Sequence, residues 1–416
     1  MTLVERDRKV LWHPYTQEKT APLPVAIIRG EGVWLYTEDG RKILDGISSW
    51  WVNIHGHSHP FLNAALAKQA SELEHAMFAG FTHKPAVELA EKLIEKTPEN
   101  LTRVFYSDNG STAVEVALKM AYQFWQNRGE PERKIFVALE NAYHGDTFGA
   151  MSASDESSFT KPFQNLLFRV LRSNGDLARL EKIFAENAGE IAAMIIEPML
   201  QGAGGMIVWK KEFLSGVREL CDKYNVLLIA DEVLTGFGRT GKMFACEHAR
   251  ILPDLMCLSK ALTAGYLPLG VTLATEEIYE AFLSDDRAKT FFHGHSFTAN
   301  PLSCAVAVAS LELFERENSL EKVAFINRKF QEFFPKLLDL KCVKEIRVIG
   351  AIGVVELNTG EGYLAEIGQK LYLEFLSRNI LLRPLGNVLY FMPPYVILEN
   401  EMDWVLGEIA DVLRNI

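Results

Sequence analysis

The chain has 416 residues, 48% of them hydrophobic, and a formal net charge of −11. Such a length and apolar content fill one large core with a smaller one beside it, while the acidic balance argues against a nucleic-acid partner, because phosphate backbones are held by basic surfaces. The segment Met1 to Lys9 alternates charge with no apolar stretch behind it, and runs such as Ile191 to Ile196 are too short to span a bilayer, so neither a signal peptide nor a membrane anchor is expected.

Cys221, Cys246, Cys257, Cys304 and Cys342 are odd in number and scattered, without a Cys-x-x-Cys pair. They read as reduced thiols of a cytoplasmic protein, with Cys257 and Cys304 in the core. Residues 1 to about 48 form an arm and a small hairpin, in which Ala26 to Tyr36 alternates around Gly30-Glu31-Gly32. Ser48-Ser49-Trp50-Trp51 follows as a loop, and its adjacent tryptophans suit either a core anchor or the wall of a pocket for an apolar substrate chain. His55, His57 and His59 alternate, but Gly and Pro interrupt the run and no carboxylate or cysteine set accompanies it. It reads as a loop feeding a helix from Phe61, with no metal expected.

From about residue 100 to 275 strands and helices alternate, which predicts a mostly parallel sheet with helices on both faces. Arg103 to Asp108 reads as a strand, Asn109 to Thr112 as a turn, and Ala113 onward as a helix by the spacing of Val114, Ala117, Leu118, Ala121 and Trp125. A strand, a glycine turn and a helix N-terminus suit an anion, with backbone N–H groups and the Ser111 and Thr112 hydroxyls as donors; the same hydroxyls would equally serve as helix caps. Lys134 to Leu139 is a strand ending in Tyr143-His144-Gly145-Asp146, an aromatic, an imidazole and a carboxylate grouped as in a functional site, with Tyr143 suited to stack on a flat ring. Ile191 to Ile196 is a strand closed by Glu197-Pro198, Gln201 to Gly205 a flexible loop, and Phe213 to Tyr224 an amphipathic helix.

Val226 to Ala230 is a buried strand delivering Asp231 at its carboxyl end, and Asp254 to Ser259 is a second, leading to Lys260. Strand ends of one sheet face one crevice, where open α/β sheets bind ligands. A partly desolvated lysine forms a Schiff base with an aldehyde cofactor, and a carboxylate opposite keeps a pyridine nitrogen protonated, so the pair suits pyridoxal phosphate. Downstream lies a glycine-rich loop with Arg239, which suits a substrate carboxylate or a solvated surface. A long helix runs from Leu302 to about Arg316, and Leu320 to Ile416 mixes helices with strands near 344–357 and 387–392. The expected division is an arm and hairpin at 1–48, a large cofactor-binding domain at 49–301 and a small α+β domain at 302–416 that shares the N-terminal piece.

Asn109-Gly110-Ser111, Tyr143-His144-Gly145, Glu197-Pro198, Asp231-Glu232-Val233, Thr235 to Gly241 and Ser259-Lys260-Ala261 together resemble the class III, fold-type I, pyridoxal-phosphate-dependent aminotransferases over nearly the whole chain. Trp12 to Gln17, Ser49-Trp50-Trp51, Gln201 to Met206 and Arg383-Pro384 before Met392 to Tyr395 are similar to the members that convert 8-amino-7-oxononanoate to 7,8-diaminononanoate in biotin biosynthesis. That resemblance implies Lys260 as the lysine that binds the cofactor, Asp231 at the pyridine nitrogen, Tyr143 and Val233 on the ring faces, and Gly110, Ser111 and Ser296 of a second subunit at the phosphate. It implies Tyr15, Trp50, Trp51, Asp146, Arg239, Gly294 and Arg383 around the substrates, with Arg383 on the oxo acid's carboxylate. Gly294-His295-Ser296 departs from the Gly-Pro-Thr of the best-known members, although Ser296 keeps a hydroxyl for phosphate. A homodimer and S-adenosylmethionine or lysine as amino donor are implied too. Another ω-aminotransferase or an aminomutase of the same fold would keep Lys260 and Asp231 without needing Trp50, Trp51 and Arg383, and a non-catalytic cofactor-binding scaffold would not need Lys260.

Overall fold

A computed structural model describes residues 1–360 and 362–416. At its centre is a sheet of seven strands in the order Leu101–Ser107, Gly270–Thr275, Leu255–Leu258, Leu227–Asp231, Ile191–Ile196, Ile135–Leu139, Val170–Ser173. Gly270–Thr275 runs antiparallel to both neighbours and every other pair is parallel, so the sheet is mixed and mostly parallel, as expected. Successive residues of the central strand point to opposite faces, Leu228 and Ala230 into one apolar cluster and Leu227 and Ile229 into the other. Both faces are covered, which is why these strands read as continuous apolar runs rather than alternations. Each fully buried aliphatic side chain adds about 1.5–3 kcal/mol.

The helix Gly110–Arg128 starts three residues before the expected Ala113, because Asn109 caps it with its side chain on the Thr112 amide. An N-terminal helix, Leu3–Val10, went unpredicted; it is short, mostly charged and buries none of its residues. The strands Ile27–Glu31, Trp34–Thr37 and Lys42–Asp45 form a meander, which Ile380–Leu381 joins in parallel to the third strand. Val343–Ile349, Ile352–Leu357 and Val388–Phe391 form an antiparallel sheet of three. Sequence from the two ends of the chain is thus hydrogen-bonded together beside the large sheet. Its register places Gly46, Asp45 and the turn after them against Leu381 and Met392.

Candidate active site

The carboxyl ends of five strands of the large sheet meet at a cavity of about 610 Å³, delivering Asp108 to Ser111, Tyr143 to Thr147, Glu197, Asp231 and Lys260 to its wall. Asp231 is the last residue of its strand and pairs with Cys257, so Lys260 emerges from the adjacent strand a few residues on. The backbone at Lys260 is left-handed (φ 44°), a conformation that costs a residue with a Cβ about 1–2 kcal/mol and is held here by the buried Ser259 hydroxyl donating to Leu269 O at 2.7 Å. Its amine lies 4.6 Å from the Trp51 ring centroid. Burial pushes the amine down to about 8, against the opposing pull of the Asp231 and Glu197 carboxylates. A lysine in this state is a nucleophile and a proton carrier near neutral pH.

Asp231 is buried, and its two oxygens accept from Val233 N at 3.1 Å and from His144 Nδ1 at 2.7 Å. The imidazole therefore orients the carboxylate, and the His144 Nε2 is buried without a partner among the described residues. Glu197 accepts from the amides of Tyr143 (3.1 Å) and Gly202 (2.9 Å); burial raises its carboxyl to about 7, with His144 opposing and Asp231 adding to the rise. The cavity thus holds one acid, Glu197, and one amine, Lys260, that exchange protons near neutral pH. The sequence marked Glu197 as the end of a strand and as part of a family motif, without a role in the site; its neighbours on the wall come from segments far apart in the chain.

At the other end of the cavity the amides of Gly110 and Ser111, first in their helix, have no intrahelical acceptor and form an anion site. Ser111 Oγ accepts from Asp146 N at 3.1 Å, leaving its own proton to donate. Of the two uses open to the Thr112 hydroxyl, anion donor or cap, it takes the second: it is spent on Asp108 and on Asn109 O, within the capped turn. Close approach is built in. A Cβ on Gly110 would stand 2.7 Å from Val233 Cγ1, and one on Gly145, whose φ is 127°, would stand 2.0 Å from Ser111 Oγ.

Trp50 and Trp51 are carried not by a loop but by a left-handed helical turn: Ser48, Ser49, Trp50 and Trp51 have φ of 51°, 46°, 69° and 76°. At about 1–2 kcal/mol per residue such a run persists only if its surroundings over-determine it. Asp45, with no solvent exposure, accepts from Ile47 N (3.3 Å), Ser49 N (2.9 Å), Ser49 Oγ (2.7 Å) and His57 Nε2 (2.9 Å). The Ser48 hydroxyl donates to Met392 O at 2.8 Å, and Trp51 Nε1 donates to Tyr390 OH at 3.0 Å. Trp51 is both buried and on the cavity wall, so the two uses open to it in the sequence coincide. His55 and His59 bond Ser310 O and Glu317, and with His57 on Asp45 each of the three alternating histidines has its own partner.

Tyr15 crosses from the N-terminal arm to donate to Asp146 and lies 3.2 Å from the Tyr143 hydroxyl, its own hydroxyl pushed up to about 12 by burial and by Asp146. Trp50 stands 5.3 Å from Tyr15, and the Arg383 guanidinium lies over its ring at 4.7 Å. Arg383 has no carboxylate partner among the described residues and lies outside the cavity wall proper, at its Trp50 side. Arg239 is elsewhere: fully buried behind Trp51, it donates to Pro393 O (3.2 Å) and Trp51 O (3.4 Å), its Nε has no partner among the described residues, and it does not line the cavity. Gly294 and Ser296 are exposed and away from this cavity. Two aromatic residues beside this cavity, on the wall of a neighbouring one, were missed. Phe159 lies 5.7 Å from Tyr15 and 6.2 Å from Tyr143, and Tyr363 lies 4.8 Å from Phe159; both come from polar loops without periodicity.

The donor set fits pyridoxal 5′-phosphate: an anion site at Gly110 and Ser111, Tyr143 and Val233 beside the space for a ring, a buried carboxylate at Asp231, and an amine of lowered basicity. The comparisons agree. Residues 15–413 match the family described as aminotransferase class-III. The adenosylmethionine-8-amino-7-oxononanoate aminotransferase of Geobacter sulfurreducens is 46% identical, over 100% of this chain and 98% of its own, and that of Synechococcus elongatus 47% identical over 98% and 99%. The crystal structure of the enzyme of that name from Methanocaldococcus jannaschii superposes with a TM-score of 0.96 at 37% identity, covering 99% of this chain and 98% of that one. An omega transaminase from Pseudomonas jessenii, in complex with PMP, gives 0.94 at 30% identity, covering 100% and 98%. With that lysine, that acid and that likeness along its length, the chain belongs to the class III aminotransferases, enzymes that work with pyridoxal phosphate.

Proposed function

We propose that this enzyme transfers an amino group from S-adenosylmethionine to 8-amino-7-oxononanoate, giving 7,8-diaminononanoate in biotin biosynthesis. The observation that carries the reaction is the Lys260 amine, buried, lowered to about 8 and set between Trp51 and the two acids. The relatives' shared name supports the acceptor and the donor.

Bound pyridoxal phosphate supplies an aldehyde that condenses with amines and a protonated ring that takes up the electrons of a breaking Cα–H bond. Gly110, Ser111, Tyr143, Val233 and Asp231 hold and orient it, and Asp231, steadied by His144, keeps the ring nitrogen protonated. Lys260 Nζ would take the proton from the substrate Cα and return it to the carbon on the far side of the amine nitrogen, the same group acting as base and then as acid. The two halves of the reaction repeat these moves in opposite order. Trp51 excludes water beside the amine. Trp50 and Tyr15 offer apolar walls to a methylene chain, and Arg383 offers a two-pronged partner to its terminal carboxylate.

The enzyme works as a homodimer in this reading. Met77, Phe81, Phe292 and Phe297 are each more than half exposed, and the two segments that carry them pack together through His83 on Ala299 O and His75 on the Phe297 ring. So much adjacent apolar surface suits a second copy, and Ser296, within it, would then serve the phosphate of the neighbouring site. Lys260→Ala tests the whole. Diamine formation from 8-amino-7-oxononanoate and S-adenosylmethionine is expected to fall below detection, and turnover retained by that variant would refute the role.

A further inference from the structure

A second cavity, of about 460 Å³, opens from the first: Tyr143 and Ala203 line both. Its remaining wall includes Phe159, Asp155, Glu356, Tyr363 and Asn387, so it lies between the large sheet's loops and the C-terminal sheet. The deeper carboxylates are already matched. Asp155 pairs with Arg172 at 3.2 Å and accepts from Asn141 N, and Glu356 pairs with Lys344 and Arg347, each at 2.7 Å. Glu156 stands at the exposed rim. A lysine side chain would bring an ammonium in need of a free acid there. The interior offers ring surface and an amide instead: Phe159 at the joint of the two cavities, Tyr363 edge-on to it at 4.8 Å, and Asn387, whose Nδ2 is spent on Leu357 O and whose Oδ1 has no partner among the described residues.

We propose that this second cavity is the subsite for the adenosyl group of the amino donor, its base stacking on Phe159 and Tyr363 and its amine or ribose hydroxyls donating to Asn387. The volume suits a nucleoside, within the range of small-molecule pockets. Entry past Tyr143 lets the amino-acid end of the same molecule reach Lys260 while the nucleoside stays outside the reacting space. This rests on the reading of S-adenosylmethionine as donor, and the two are separable.

The probe is 5′-methylthioadenosine, which keeps the nucleoside and sulfur but has no α-amine, titrated by calorimetry into cofactor-loaded enzyme. Binding to the wild type is expected, weakened on the order of tenfold in Phe159→Leu and in Tyr363→Leu, which keep apolar bulk and remove the ring. Their KM for 8-amino-7-oxononanoate is expected to stay within about twofold. Unchanged nucleoside affinity in both variants, or an equal loss for the oxo acid, overturns the subsite. Wild-type turnover with S-adenosylmethionine against lysine tests the donor by itself. Use of S-adenosylmethionine with unaltered nucleoside binding in the variants leaves the donor and removes the subsite, whereas use of lysine alone removes both.

Discussion

The state of Lys260 before it meets the cofactor is open to direct measurement. With its amine lowered to about 8, roughly a quarter of the chains carry it neutral at about pH 7.5, against about one in a thousand at the ordinary lysine value of 10.5. The capture of pyridoxal phosphate by the cofactor-free protein depends on the neutral amine, so its rate, followed by absorbance, should rise with pH and level off above an inflection near 8. Burial drives the shift down, while Asp231 and Glu197 favour the cation and hold the value up. Glu197→Gln removes one of those charges and should move the inflection to lower pH, with faster capture at neutrality. Its carbonyl oxygen keeps an acceptor for one of the Tyr143 and Gly202 amides, which bond different oxygens of the carboxylate. An inflection near 10 in the wild type, or an upward move in Glu197→Gln, would refute the reasoning.

Asp45→Ala takes the shared acceptor from Ile47, Ser49 and His57 and should destabilise the protein by about 3 kcal/mol in urea unfolding, with Asp45→Asn between it and the wild type; a loss under about 0.5 kcal/mol would show the turn to be held by other means. Gly145→Ala drives a methyl into Ser111 Oγ at a φ of 127°, so cofactor affinity by equilibrium dialysis should fall at least about tenfold. Arg383→Ala should raise the KM for the oxo acid about ten- to a hundredfold with a smaller change in kcat.

The sheet and the ends of its strands were legible because burial on both faces leaves unbroken apolar runs, and because Asp231, Tyr143 and Lys260 follow those runs directly. The glycine turn was legible for the same reason, yet the division of labour inside it was not: whether Ser111 or Thr112 faces an anion depends on which hydroxyl the cap consumes, and Asn109 settles that through space. Arg239 shows a second limit. A lone arginine in a glycine-rich loop reads as a partner for a substrate carboxylate or as a solvated group, and only tertiary packing reveals a guanidinium buried against Tyr395 at 4.9 Å with backbone carbonyls as its partners. Phe159 and Tyr363 were hidden by distance, since the loops that carry them meet only when the C-terminal sheet docks. The conformation of Ser48 to Trp51 contradicts the propensity of every residue in it, and its cause, one carboxylate at Asp45, lies outside the four.

That turn has a consequence for the order in which the molecule is made. The tryptophans belong to the first eighth of the chain, but the anchors of their turn come near its end: Ser48 on Met392 O, Trp51 on Tyr390, Gly46 N on Leu381 O and Leu44 N on Asn379 O. On the ribosome, residues 48–51 have only the Asp45 contacts to hold a left-handed run until residues 379–392 have emerged. The large sheet is finished a hundred residues earlier, with Lys260 and Asp231 already on its edge. Completion of the wall beside the lysine is therefore a late event in synthesis, and a nascent chain that stops short of Tyr390 leaves its amine open to water and to stray aldehydes.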